Sequence, residues 1–178
     1  MHIFLQGPKN IGKTTVIRET LDLLAARRPL VLGGFFTWNG GTGDPSIYMR
    51  PAEQGKERET YRLAGWDPET GMRVRNLQVF EQIGAPILAH SGGADLIVMD
   101  ELGYLESDAP VFRQAVLDTL AGDIPVLGVL RLGDVPWHVG IRGNPQVTLV
   151  DVCRGNRDKL AQELAERLYP RLTAPAPL

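Results

Sequence analysis

The chain has 178 residues, 43% of them apolar and 22% charged, with a net charge of −2. That length suits one domain with a sizeable buried core, and the near-neutral charge leaves no electrostatic footprint for nucleic acid. A single cysteine, Cys153, excludes an internal disulfide, and no apolar run reaches membrane-spanning length.

The N-terminal MHIFLQG is apolar for only a few residues and lacks the basic start of a signal peptide. The expectation is a cytoplasmic protein with no membrane and no nucleic-acid partner. His2 to Gln6 reads as a short buried strand. Lys13 to Arg27 follows as a helix, because Val16, Ile17, Leu21 and Leu24 share one face, and Pro29 ends it. Leu30 to Phe36 is a second strand, and NGGTGD at 39–44 a glycine-rich turn. Residues 46–72 are polar and irregular, and read either as short antiparallel strands or as a flap.

Val74 to His90 carries Leu77, Phe80, Ile83 and Ile87 near helical spacing, with Pro86 as a kink or stop. Asp95 to Met99 is a compact strand that ends in Asp100 and Glu101. Ser107 or Asp108 can cap the helix of Phe112, Val116 and Leu120. Pro125 to Leu130 and Gln146 to Val152 are further strands, and a last helix runs from about Asn156 to Leu168. This alternation predicts an α/β fold: a three-layer, mostly parallel sheet with helices on both faces. The predicted organisation is one domain over 1–170, with 46–73 as a flap or lid insertion and 171–178 as a flexible tail.

Two segments carry chemistry. Gly7, Pro8, Lys9, Asn10, Ile11, Gly12, Lys13 and Thr14 fit G-x-x-x-x-G-K-[ST], with Thr15 next, between a strand and a helix. Glycines let successive N–H groups turn inward around a polyphosphate, and the helix N-terminus favours an anion. Lys13, one of only four lysines, can reach the β- and γ-phosphates, and the Thr14 hydroxyl can ligate Mg2+. The second segment is DLIVMDELGYLE, 95–106. Asp100 at its strand tip can hold Mg2+ through a water, and Glu101 can take a proton from an attacking water. Asp100 to Gly103 also spells D-x-x-G, as in GTPases, but the N-K-x-D segment that reads guanine is missing.

Four segments, GPKNIGKTT (7–15), GGFFT (33–37), LIVMDELGYLE (96–106) and CRGNRDKL (153–160), resemble the small cancer-related and thermophilic nucleoside-triphosphatases of the P-loop class. Their order and spacing match over most of the chain. The resemblance implies a RecA-like sheet and Mg2+-dependent hydrolysis of ATP, GTP and other nucleoside triphosphates to diphosphate and phosphate, with loose base selectivity. It also implies that Asn156 and Arg157 approach the nucleotide. One stretch departs: where the family continues GGFFT with charged residues, this chain has Trp38, Asn39, Gly40 and Gly41, and a cation is missing.

Other residues keep two readings each. Gly33 and Gly34 either approach the nucleotide from a strand end or form a tight turn, and Thr37 is a candidate phosphate or water ligand. Arg131, after PVLGVL, either offsets charge on the leaving phosphoryl group or makes a surface ion pair. Asn156 is either an N-cap or a nucleotide contact. Cys153 reads as a small buried hydrophobe. Hydrolysis of nucleoside triphosphates is the leading function. A nucleotide or small-molecule kinase, with 46–72 as acceptor pocket, and a non-catalytic nucleotide sensor are the alternatives.

Overall fold

The computed structural model describes residues 1–172. Its centre is built from apolar runs with no alternation, which only a strand covered on both faces requires. These are β1 (His2–Gln6), β6 (Leu96–Leu102) and β7 (Val126–Leu130), and most of their residues are fully buried. With β2 (Leu32–Asn39) and β8 (Val147–Asp151) they pair in parallel. Three further strands, β3 (Ile47–Pro51), β4 (Tyr61–Trp66) and β5 (Arg73–Arg75), extend the sheet antiparallel beyond β2. The complete order is β5-β4-β3-β2-β6-β7-β1-β8.

Helices cover both faces. On one, α1 (Lys13–Ala25) and α6 (Arg157–Leu172) bury Ile17, Leu24, Leu164 and Leu168 against Ile3, Leu5, Val98 and Val129. On the other, α2 (Leu77–Val79), α3 (Ala85–Ala89), α4 (Pro110–Ala121) and α5 (Val139–Arg142) enclose Phe35, Phe80, Phe112 and Met99. The layered, mostly parallel α/β architecture expected from the alternating pattern is the one observed. No helix among the described residues is long and apolar enough to cross a membrane.

Several local expectations are corrected. Of the two readings of 46–72, antiparallel strands rather than a flap are observed: β3 and β4 hydrogen-bond into the sheet, with Met49 and Leu63 almost fully buried. The helix predicted over Val74–His90 begins only at Leu77, since Arg73–Arg75 pairs with β4. A π-helical segment, Phe80–Gly84, then separates α2 from α3, immediately before Pro86, which has no N–H to continue the regular ladder. α4 starts at Pro110 without a side-chain cap, and Asp108 instead pairs with Arg75 at 2.6 Å. Arg171 and Leu172 continue α6, and Leu172 is buried in the core; 173–178, the rest of the predicted tail, lies outside the described residues.

Gly33 and Gly34 do not end a strand beside the 7–15 loop. They open β2, opposite Ile97 and Val98 of β6, while its far end delivers Thr37 and Trp38. Gly34 has φ 80°, and a Cβ there would collide with the Val98 carbonyl, so glycine is needed for close strand packing.

Candidate functional site

The parallel strands β1, β2, β6 and β7 end on one edge of the sheet, where this architecture places ligands. The 7–15 loop leaves β1 at that edge and enters α1 at Lys13. Gly7 sits at φ 151°, and a Cβ there would stand 2.6 Å from the Val152 carbonyl oxygen. Gly12 occupies the N-cap of α1 with no side-chain capping bond, which leaves the first-turn N–H groups for another acceptor. The Lys13 ammonium arches over the loop and donates to the carbonyls of Gly7 at 3.0 Å and Pro8 at 2.9 Å. Burial lowers its pKa, while the nearby Glu101 and Asp100 act in the opposite direction.

Asp100 and Thr14, far apart in the chain, meet here: the Thr14 hydroxyl donates to Asp100 Oδ1 at 3.3 Å. The Asp100 carboxyl therefore faces the same pocket as Lys13. Its other oxygen, Oδ2, is buried with no hydrogen-bond partner, and burial pushes the Asp100 pKa up to about 7. A hard divalent cation would satisfy that oxygen and favour the ionised form. Thr14 and Asp100 together offer oxygen donors of the kind that a hard divalent cation takes.

Glu101 is positioned through its backbone, whose N–H donates to the Thr37 hydroxyl at 3.1 Å. Its carboxylate lies 3.5 Å from Arg131, which also stacks 4.8 Å from the centre of the Tyr104 ring. A cavity of about 530 Å³ joins these groups: Lys9, Asn10, Lys13 and Thr15 line one wall, and Thr37, Asp100, Glu101 and Arg131 another.

Three residues predicted to contact nucleotide do not line this cavity. Ile11 packs against the core. Asn156 fastens the turn before α6, accepting from the Cys153 N–H at 2.9 Å and donating to the Asp151 carbonyl at 2.8 Å. Arg157 hydrogen-bonds to Asp158 at 3.3 Å and passes near Gly12. Cys153 is exposed rather than buried, because Val152 takes the inward place.

Two charged lining residues had no role in the sequence reading. Arg73 enters from β5. Glu106, last acid of the DELGYLE segment, is 2% exposed and accepts a hydrogen bond from the Gly103 N–H. Its only sequence signal is a glutamate between Leu105 and the turn, which reads equally as a solvated residue. Burial raises the Glu106 pKa from 4.5 to about 7. The folded state thus holds an extra proton in that window, and stability is lost as pH rises through it. Glu106→Gln removes the burden. Its stability relative to wild type is expected to rise by up to about 1.4 kcal/mol per pH unit across the window, read as denaturation midpoints at acid and alkaline pH.

A family model described as NTPase matches residues 2–165. The chain belongs to this NTPase family. Among its relatives, the protein named nucleoside-triphosphatase THEP1 from Methanosarcina acetivorans is 32% identical, over 97% of this chain and 99% of that one. The human cancer-related nucleoside-triphosphatase is 28% identical, over 92% of this chain and 94% of its own length. The solution structure of a human cancer-related nucleoside triphosphatase superposes with a TM-score of 0.75 at 25% identity, covering 95% of this chain and 97% of that chain. The crystal structure of THEP1 from Aquifex aeolicus gives a TM-score of 0.76 at 23% identity, over 94% and 99% of the two chains, and speaks for the P-loop NTPase fold. The family and fold anticipated from the four quoted segments are those found.

Proposed function

We propose that the protein hydrolyses nucleoside 5'-triphosphates to diphosphate and phosphate, with Mg2+ and with little discrimination among bases. The observation that carries this reading is the convergence of Lys13, Thr14 and Asp100 on one cavity, with Thr14 and Asp100 in hydrogen-bond contact. The loop N–H groups of 7–15 and Lys13 hold the phosphates, the Lys13 ammonium exchanging carbonyl acceptors for phosphate oxygens. Thr14 and Asp100 would hold Mg2+, which would supply positive charge against that of the phosphates. Glu101 takes the proton of the attacking water, and Arg131 offsets the developing charge. Arg157 passes beside Gly12 of the loop, outside the cavity, and with its chain neighbour Asn156 would meet a nucleoside leaving the phosphates. Among the described residues the free, exposed Cys153 suits a reducing cytoplasm.

The test is a phosphate-release panel over ATP, GTP, CTP and UTP, with and without magnesium, on the wild type and Lys13→Ala. All four nucleotides are expected to be cleaved at rates within about tenfold of one another. Release falls to background without the metal, and by about 10²-fold or more in Lys13→Ala. Undiminished release without magnesium, or by the variant, overturns the reading.

A further inference from the structure

The cavity is larger than the phosphate site needs. It continues past Glu101 along the antiparallel side of the sheet, over Ile47, Leu63, Phe80 and Leu105, with Trp38 and Tyr104 as aromatic walls. β4 stands five strand positions from β1, about 24 Å at the usual strand spacing. Glu101 serves the γ-phosphate in the mechanism above, so this lobe lies beyond the γ-phosphate, away from the nucleoside.

One charged group enters the lobe without a counterpart. Arg73 lines it from β5, and its Nη1 is buried with no hydrogen-bond partner. The guanidinium is held 5.4 Å from the centre of the Trp66 ring, which fixes the side chain and leaves donors free. A buried N–H of a cation with no acceptor is costly, and a planar guanidinium suits a bidentate anion. The apolar floor and two aromatic walls favour a flat ring over a bare ion.

We propose that this lobe is a second ligand subsite, which takes a compact anion carrying a flat apolar ring, its charged group on Arg73 and its ring between Trp38 and Tyr104. The subsite supplies a function for the irregular segment of the sequence. Its strands build a wall for another molecule opposite the phosphate loop. The proposal rests on the loop taking the nucleotide, as proposed above.

Phenyl phosphate is the probe, titrated calorimetrically into the wild-type protein saturated with Mg2+ and AMP-PNP so that the phosphate loop is filled. Binding at one site is expected, and inorganic phosphate should bind at least about tenfold more weakly. Arg73→Ala and the longer, neutral Arg73→Gln, each checked for folding by thermal unfolding, should weaken phenyl phosphate by about tenfold or more. No binding, binding by both Arg73 variants as tight as by the wild type, or equal affinity for inorganic phosphate overturns the subsite while the nucleotide reading stands. Failure of AMP-PNP itself to bind brings down both.

Discussion

Replacing Glu101 by Gln is expected to slow phosphate release by about 10²- to 10³-fold while nucleotide affinity stays within about threefold. Glutamine keeps the side-chain volume but cannot accept the proton of the attacking water. The backbone bond that positions residue 101, from its N–H to the Thr37 hydroxyl at 3.1 Å, is untouched by the change. The lost partner is Arg131, 3.5 Å away, and both side chains are partly exposed. An ion pair of that kind contributes at most about 1 kcal/mol, so the fold should hold. Single-turnover release alongside a nucleotide titration separates the two effects. Release at the wild-type rate would remove Glu101 from the chemistry.

The second large effect is expected at Phe112 in the core. Its ring is fully buried and meets Phe35 at 5.7 Å and Phe80 at 5.2 Å between centroids. Gly84 lies against it so closely that a Cβ there would stand 2.8 Å from the ring. Phe112 thus locks α4 to the π-helical segment and to β2 at once. Phe112→Ala should cost about 3–5 kcal/mol of stability, because the surrounding helices cannot collapse fully into the void. For a chain of this size that is a fall of roughly 6–20 °C in the unfolding midpoint, measurable by calorimetry or circular dichroism. A loss under about 1 kcal/mol would show that the cluster repacks around the gap.

How much of this could be read beforehand depends on how local the cause is. The 7–15 loop was readable because strand, glycines, lysine and helix follow one another within a short span. Asp100 was readable because an unbroken apolar run, Leu96–Met99, must end at a sheet edge. The partnership of Asp100 with Thr14, by contrast, spans 86 positions and follows only from β6 lying two places from β1. Arg73 was hidden at the end of the irregular 46–73 segment, just before a helical-looking stretch. The pairing of Arg73–Arg75 with β4 outweighs the helical spacing of Leu77, Phe80 and Ile83. The register irregularity between Ile47 and Tyr48 blurs the alternation that would have announced β3. Glu106 gave no sign of burial, because burial comes from the turn after β6 folding back so that Gly103 donates to it.

The antiparallel strands β3 to β5 hang on a single neighbour, β2, whereas Lys13, Thr14, Asp100 and Arg131 stand at the far ends of β1, β6 and β7. Two construction rules thus meet in one crevice. A hairpin graft in the outer strands is expected to change the cavity lining that Ile47, Leu63 and Arg73 supply while leaving Lys13, Thr14 and Asp100 in place. The molecule is, in that sense, a fixed engine with an exchangeable front end.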